Sequence, residues 1–431
     1  MKSLQYFNFV LNTVSIFYTS TYQFIKYKLN LATFNDAVIS VCDSLIHKNY
    51  LFTKIVQWGV QEIYSDANIQ GNDELKSYFS VFSNSVPYAQ HELHTSLLSI
   101  KNVTDFAKSR NDEFIVENDN IPINSGSVAI IFKARLNHMP VIIKVLRPNI
   151  RKRIEDDIKA VLFFFENIFI RKIIEHYIKL KFNKFIQDNS ESLLNQCDFI
   201  NEVNNALLFK DNLKNKKNII IPHVYKHFTE AHNEVIVMEY IHGPIAKNAP
   251  LELLKQNIET LQSFFFESLF RYNILHGDFH LGNIIITENN MIGIIDFGIV
   301  YNLTHDISDQ LFNMLFLCLQ SKNKKILLRT MVRFLSFNDL CDVTYNKLLK
   351  CLLRDNEIVE LLSNTFNANT IIKFINIITS IMSKECIELK KDVCRLVLAT
   401  MSGIQTIEYV NDNKSLDYLI HSYIKRSIQM D

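Results

Sequence analysis

The spacing of hydrophobic and polar residues changes several times along the chain, and each change predicts a different element. Between residues 31 and 110, apolar residues recur every three to four positions, as at Ile39, Cys42 and Leu45, which predicts helices. Residues 113–146 instead contain β-branched runs separated by Asn, Pro and Gly turns, which predicts a small antiparallel sheet.

Helical and strand patterns also alternate along the rest of the chain. Helical periodicity covers residues 150–187, 189–209, 251–274 and everything from 307 onward, where no proline interrupts it. β-Branched runs predict a strand at 234–241 and a hairpin at 284–295. We therefore expect an α+β chain with a helical prefix, a small β-rich lobe and a mainly helical lobe.

Residues 1–30 are rich in aromatic side chains, but polar residues such as Asn8 and Asn12 interrupt the run. No stretch of about 20 apolar residues occurs here or later, so we expect no transmembrane helix. The segment also lacks the apolar core and small-residue cleavage site of a signal peptide. We expect a surface helix that packs on the body of the protein, with a helix in a membrane interface as the alternative.

Composition narrows the class of protein. With 48% hydrophobic and 21% charged residues among 431, the chain is globular rather than disordered. A net charge of +1 gives no reason to expect a nucleic-acid partner. The seven cysteines form no CxxC pair, a pattern typical of reduced thiols in an intracellular protein. The sequence leaves the oligomeric state open, a homodimer included.

The densest chemistry lies between His276 and Gly298, which enclose four of the nine glycines. If the predicted hairpin is centred on its Asn289-Asn290 pair, Asn283 and Asp296 face each other at its open end. An amide oxygen and a carboxylate there suit Mg²⁺, which takes one or two protein oxygens together with phosphates and water.

Asp278, on the loop that leads into this hairpin, is a candidate to accept the proton of a hydroxyl nucleophile in phosphoryl transfer. The set D-x4-N-x12-D-F-G has the spacing of a protein-kinase catalytic loop and its metal-binding segment. Such a site needs a strand lysine for the α- and β-phosphates, which is Lys144, and an acid that positions it. Glu202, on a predicted helix, is the candidate acid.

Two ordinary kinase motifs are absent from the sequence. Gly126 is the only glycine between residues 72 and 242, so there is no GxGxxG, and no Ala-Pro-Glu follows the DFG segment. The phosphate loop is therefore expected in PINSGSVAIIFKA, with Ser125, Gly126 and Ser127 at the turn and their backbone N–H groups facing phosphate.

Four segments together resemble the UbiB-like (aarF/ADCK) family of atypical protein-kinase-like proteins. Residues 122–131 resemble that family's P-I-A-S-A-S-I-A-Q-V loop, and 141–148 its V-A-V-K-V-Q-R-P strand. Residues 196–205 resemble its E-L-D-Y-x-x-E-A-x-N helix, and 276–283 its H-A-D-P-H-P-G-N loop. The resemblance implies a bilobal protein-kinase-like fold that uses ATP or ADP with Mg²⁺, and it implies a domain order of 1–110, 111–243 with a helical insertion at 149–188, and 244–431.

The resemblance also implies roles for individual residues. Lys144 would bind the nucleotide phosphates with Glu202 as its ion-pair partner, and Asn283 and Asp296 would hold the metal. Further nucleotide contacts would come from the serine-rich loop and from the hinge at 235–243, namely Ser125, Gly126, Ser127, Ala129, Met238, Glu239 and Ile241. Lys54 and Gln57 resemble the family's regulatory K-x-G-Q element, with valine at position 56 in place of glycine.

The functional expectation is an ATP-dependent phosphotransferase or ATPase, which the resemblance links to isoprenoid-quinone lipids and a membrane surface. A small-molecule kinase of the aminoglycoside or choline type is one alternative, because HGDFHLGN also resembles the catalytic loop of those enzymes. A pseudokinase scaffold that binds nucleotide without turnover is the other alternative. Retention of Lys144, Asp278 and Asp296 speaks against the scaffold.

Overall fold

The computed structural model describes residues 2–46, 86–166, 190–191, 193–320, 324–336, 342–361, 368–384, 387, 390–411, 418–423 and 425. The chain forms two compact units, Met1–Val203 with His223–Tyr240 and Asn204–Pro222 with Ile241–Asp431. The helical prefix and the β-rich region lie in one of these units, and the predicted domain bounds stay a prediction. Residues 204–222 group with the C-terminal unit.

The first unit contains an antiparallel sheet. Its strand order is β1 (Phe114–Val116), β3 (Ala129–Leu136), β4 (Met139–Leu146) and β6 (Val235–Glu239), and β2 (Asn124–Ser125) also pairs with β3. Its helices are α1 (Lys2–Lys28), α2 (Phe34–Ile46), α3 (Gln90–Ser109), α4 (Ile150–Glu166), the start of α5 (Phe199–Leu213) and α6 (Lys226–Ala231). The predicted antiparallel sheet is therefore present.

The turn between β3 and β4 shows why these residues form a hairpin. Asn137 and His138 have φ of 48° and 67°, and a type I′ turn needs positive φ at both central positions. One face of the sheet is buried against α3 and α6, through Ile100, Val103, Ala107, Ile130, Phe132, Ala134, Leu136, Val141, Ile143, Val145 and Phe228. Helix α3 therefore shares the core of the sheet, although the sequence placed it in a separate helical extension.

The second unit combines short strands with many helices. Strands β5 (Ile219–Ile220), β9 (Ile292–Ile294) and β8 (Ile284–Ile286) form one sheet, and β7 (Ile274–His276) pairs with β10 (Val300–Asn302). The helices are α7 (Leu251–Gln256), α8 (Ile258–Phe270), α9 (His305–Gln320), α10 (Lys324–Leu335), α11 (Asp342–Leu352), α12 (Asn356–Leu361), α13 (Ala368–Lys384) and α14 (Lys391–Val410). The hairpin β8–β9 was predicted, whereas β5, β7 and β10 are too short to carry a periodic signal.

Two predicted helices are interrupted by polar residues. The segment 251–274 breaks at Asn257, whose Nδ2 donates to the carbonyl of Leu253 at 3.1 Å, and its end forms β7. The segment 189–209 breaks before Phe199, where Asp198 Oδ1 accepts from the N–H of Asn201 at 3.0 Å and caps α5. Asn and Asp side chains compete with helical backbone bonds in this way, which apolar periodicity does not reveal.

Helix α1 confirms the expectation of a helix in the prefix. Leu11, Val14, Tyr18, Tyr22 and Ile25 recur at helical spacing and are 47–71% exposed, so they form an apolar stripe. None of the helices in the described part of the chain is long and apolar enough to cross a bilayer.

Glu408 on α14 makes the second unit sensitive to pH. Burial raises the pKa of Glu408 to about 7, although its hydrogen bond from the N–H of Ala368 acts in the opposite direction. This pKa lies above that of glutamate in the unfolded chain. The contribution of the protonated Glu408 side chain to folding stability is therefore fully present below about pH 4.5 and is lost as the pH rises through 7.

We therefore expect Glu408→Gln to match wild type at about pH 4 and to exceed its stability at pH 8 by up to about 3 kcal/mol. Thermal midpoints at the two pH values measure the difference. Glu230→Gln is the control, because Glu230 lies at the surface of α6. Identical pH dependence of Glu408→Gln and wild type would contradict the assignment.

Candidate functional site

The first unit contains the predicted lysine–glutamate pair. Lys144 lies on β4, between Ile131 of β3 and Ile236 of β6. Its Nζ donates to Glu202 Oε1 at 2.5 Å, and the two side chains are 10% and 4% exposed. The Nζ also lies 5.6 Å from the centroid of the Phe199 ring. The structure thus brings the two residues together, while their role toward phosphate stays a prediction.

The local fold explains how Glu202 reaches this position. Asp198 caps α5, and the N–H of Glu202 donates to the carbonyl of Asp198 at 3.0 Å. Glu202 therefore lies in the first turn of the helix, where the helix dipole favours a carboxylate. A buried ammonium such as that of Lys144 is tolerated because this carboxylate neutralises it.

The serine-rich turn lies between β2 and β3. The N–H of Ser125 donates to Asn124 Oδ1 at 2.7 Å, and that of Gly126 donates to the carbonyl of Ala129 at 2.8 Å. These two N–H groups are paired within the protein, and the contact of this turn with phosphate stays a prediction. Ser127 follows in the same turn, and Ala129 is buried as the first residue of β3; their predicted nucleotide contacts also stay predictions.

The predicted hinge also uses part of its backbone within the protein. The N–H of Glu239 donates to the carbonyl of His223 at 2.8 Å, and Glu239 Oε2 accepts from the N–H of His223 at 3.0 Å. That N–H is therefore not available to an adenine ring. Met238 is buried on β6, and Ile241 is the first residue of the second unit after this strand. Their contacts with adenine stay predictions.

The loop that carries Asp278 is fixed at its start. Gly277 follows β7 and donates its N–H to the carbonyl of Ile299 at 2.8 Å. A Cβ at position 277 would lie 2.5 Å from Ile299 Cγ2, so only glycine fits. The neighbouring His276 is buried, and its Nδ1 accepts from the N–H of Asp278 at 3.3 Å. Burial lowers the pKa of His276, which keeps the ring neutral.

Asp278, His280 and Asn283 are connected within this loop. Asn283 Nδ2 donates to the carbonyl of Asp278 at 3.0 Å, and His280 Nδ1 accepts from the N–H of Gly282 at 2.9 Å. The ring proton of a neutral His280 is therefore on Nε2, which lies 3.6 Å from Asp278 Oδ2. Burial opposes the charged ring, but Asp278 and Asp296 outweigh it and raise the pKa of His280. His280 was absent from the predicted site, although it lies two residues after Asp278.

The hairpin after the loop differs from the predicted register by one residue. The carbonyl of Asn283 accepts from the N–H of Ile295 at 2.9 Å, so Asn283 lies opposite Ile295 and not opposite Asp296. The cause is the turn, because a three-residue loop follows Thr287 and ends at Asn290 with φ of 58°. A two-residue turn would have given the predicted pairing.

The DFG segment has a strained first residue and a buried second one. Asp296 has φ of 68°, and its Oδ1 accepts from the N–H of Gly298 at 3.1 Å. The Phe297 ring lies 5.3 Å from that of Phe209, and Asn205 Nδ2 donates to the carbonyl of Phe297 at 3.0 Å. Asn205 was also missed as a site residue, although it is one helical turn after Glu202.

The donor chemistry of Asn283 and Asp296 fits Mg²⁺. Because Nδ2 of Asn283 donates to the protein, Oδ1 is the atom that would bind a metal, and Asp296 would supply a carboxylate. In the described ranges, no group of three or more His, Cys, Asp or Glu side chains could hold a metal ion. The two residues therefore suit a metal whose other ligands are phosphate and water. The predicted regulatory pair, Lys54 and Gln57, lies outside the described residues.

Comparisons with known proteins identify relatives of this chain. Proteins named Probable protein kinase UbiB are 32% identical over 204 residues in Tolumonas auensis and 30% over 207 residues in Cronobacter sakazakii. These alignments cover 43% and 45% of this chain but only 35% and 37% of the relatives, so the chain spans about a third of their length.

A solved structure titled as the Rv3197–erythromycin complex from Mycobacterium tuberculosis covers 81% of this chain and 97% of its own, at 15% identity and a TM-score of 0.41. The model of the ABC1 atypical kinase-like domain matches residues 91–330, which is more than half of the chain. This match includes the Lys144–Glu202 pair, the Asp278 loop and the DFG segment. The resemblance to UbiB-like proteins and the predicted kinase-like α+β fold are thus confirmed, and the chain belongs to the ABC1 atypical kinase-like family.

Proposed function

We propose that this chain is an ATP-dependent phosphotransferase or ATPase that requires Mg²⁺. The observation that carries the proposal is the buried Lys144–Glu202 pair on β4 and α5. In a protein kinase, a strand lysine of this kind holds the α- and β-phosphates while an acid on a helix positions it. The same pairing, in a chain that also retains Asp278, Asn283 and Asp296, is most simply explained by phosphoryl transfer.

Each residue has a defined task in this proposal. Asp278 accepts the proton of an acceptor hydroxyl or water as that oxygen bonds to the γ-phosphorus and the bond to the β-phosphate oxygen breaks, releasing ADP. His280 stays beside Asp278, with its Nε2 3.6 Å from Asp278 Oδ2. Lys144 holds the phosphates. Asn283 and Asp296 would hold Mg²⁺, which when bound supplies positive charge to the phosphate oxygens.

We further propose that the phosphoryl acceptor is found at a membrane surface, among isoprenoid-type lipids. Helix α1 supports this part, since it exposes an apolar and aromatic stripe. The first acidic residue of the chain is Asp36, whereas Lys2, Lys26 and Lys28 precede it, so the prefix is cationic. A cationic, aromatic helix suits an anionic lipid surface.

An ATPase assay tests the proposal, with and without anionic liposomes that contain an isoprenoid quinone precursor analogue. We expect Mg²⁺-dependent turnover that Asp278→Asn lowers by about 10²–10⁴-fold, because the variant lacks the proton acceptor. MgATP should still raise the thermal midpoint of Asp278→Asn, since the residues that hold phosphate and metal are intact.

Asp296→Asn is the matched variant. It should keep its fold in the absence of nucleotide but lose most of the Mg²⁺-dependent stabilisation by ATP, because Asp296 supplies the carboxylate for the metal. Equal turnover in Asp278→Asn and wild type would overturn the proposed chemistry. Tight nucleotide binding by wild type with no turnover under any lipid condition would favour the scaffold instead, and phosphorylation of a soluble small alcohol would favour the small-molecule kinase.

A further inference from the structure

The guanidinium of Arg147 connects two distant segments of the first unit. Toward the serine-rich turn, Nε donates to the carbonyl of Gly126 at 3.0 Å and Nη2 donates to Ser125 Oγ at 2.8 Å. Toward the segment that precedes α3, the Nη atoms donate to the carbonyls of Val86 and Pro87 at 3.1–3.2 Å. Arg147 therefore fixes the turn against a segment that lies about 40 residues earlier in the chain.

Glu92 on α3 holds this guanidinium in place. Its Oε2 accepts from Arg147 Nη1 at 2.7 Å and from the N–H of Ala89 at 3.0 Å. Its Oε1 accepts from Arg153 Nη1 at 2.7 Å. The side chains of Arg147 and Glu92 are only 6% and 5% exposed, so the pair is desolvated and each partner depends on the other.

The hydrogen bonds of Arg147 use all of its side-chain nitrogens. A guanidinium has five N–H donors, and all three nitrogens of Arg147 already donate to protein oxygens. Arg147 is therefore not a phosphate ligand. The backbone adds a further connection, because the N–H of Val86 donates to the carbonyl of Ser125 at 2.7 Å. The Ser125–Gly126 turn is therefore held both by hydrogen bonds within residues 124–129 and by the segment that precedes α3.

We propose that Arg147 and Glu92 form a clamp that sets the shape of the Ser125–Gly126 turn before a nucleotide binds, which makes them positioning residues for the nucleotide. The inference rests on the proposed use of ATP. A turn ordered in advance loses little conformational entropy on binding, so the clamp contributes to affinity. It has no part in the proton transfer at Asp278, so turnover at saturating ATP should be nearly independent of it.

Arg147→Lys and Arg153→Lys form a matched pair for the test. Both arginines bond to Glu92 at 2.7 Å, but Arg153 lies on α4 and is 49% exposed, whereas Arg147 is 6% exposed and also bonds to the turn. We expect Arg147→Lys to raise the Kd and KM for MgATP about tenfold, with kcat within about threefold of wild type. Arg153→Lys should change the Kd, KM and kcat by less than about twofold each, because an exposed ion pair contributes little.

Amide hydrogen exchange without nucleotide supplies the second measurement. Arg147→Lys should speed exchange at Ser125 and Gly126 and leave β4 protected, whereas Arg153→Lys should match wild type. If wild type neither binds nor hydrolyses ATP, the proposed function fails, and the exchange data still decide whether the clamp holds the turn. Unchanged exchange in Arg147→Lys, unchanged affinity in an ATP-binding protein, or equal effects of the two variants would each overturn the clamp.

Discussion

Replacing Lys144 by methionine is expected to lower ATP turnover at least about 10²-fold and to destabilise the first unit by about 3–5 kcal/mol. The two losses have different causes. Turnover falls because the nucleotide phosphates lose a positioned cation. Stability falls because Glu202, whose side chain is 4% exposed, stays buried without the ammonium that neutralises it. Steady-state hydrolysis and urea unfolding of the same preparation measure the two losses.

A second substitution separates these causes. Lys144→Met/Glu202→Leu should recover most of the stability, since well-packed apolar residues often replace a buried ion pair at no cost, but it should remain inactive. Lys133→Met is the matched control, because Lys133 lies on the neighbouring strand β3 and its pair with Glu117 at 3.2 Å is partly exposed. That control should change stability by at most about 1 kcal/mol. Turnover near the wild-type rate in Lys144→Met would refute the phosphate role.

The sequence predicted this pair because each partner belongs to a local pattern. Lys144 lies in an apolar strand, where an unpaired ammonium would be costly, and Glu202 lies beside buried Val203 on an amphipathic helix. The β3–β4 hairpin and the hairpin before the DFG segment were predictable for the same reason, since alternation and turn residues are local signals. Periodicity did not locate the break at Asn257, because one side-chain hydrogen bond there decides between helix and turn.

Contacts between distant residues explain most of what the sequence did not predict. Arg147 and Glu92 are 55 positions apart and belong to elements that each look ordinary alone. Thr406 on α14 donates its hydroxyl to the carbonyl of Phe279, 127 positions earlier and next to Asp278. Neither pairing has a local signature, because spacing along the chain constrains only residues of the same element. The helices after residue 307 were predicted, but their contact with the loop that carries Asp278 was not.

The contact between α14 and the loop that carries Asp278 leads to a second expected result. Gly403→Ala should cause a large loss of stability and of ATP turnover. Gly403 lies in the interior of α14, where alanine alone would favour the helix by about 1 kcal/mol. A Cβ at this position would, however, lie 2.1 Å from Cε2 of the buried Phe265 ring. Overpacking of this kind costs about 1–3 kcal/mol or more, which exceeds the gain in helix propensity. We therefore expect Gly403→Ala to lower the free energy of unfolding. The thermal midpoint should fall by several degrees.

We expect ATP turnover to fall together with the thermal midpoint, because the Phe265 ring stacks at 5.5 Å on Phe279, which belongs to the loop that carries Asp278. A ring displaced by the new methyl group would move the residue that follows Asp278, and displacements of about 1 Å can reduce catalysis about 10²-fold. Gly403→Ala/Phe265→Leu should restore part of both properties, since the smaller side chain frees the space that the methyl group needs. Gly126→Ala is the control for stability, because a Cβ there would lie 3.6 Å from its nearest neighbour, the carbonyl oxygen of Ala129. If Gly403→Ala melts at or above the wild-type temperature, helix propensity outweighs the contact and α14 does not position the Asp278 loop through Phe265.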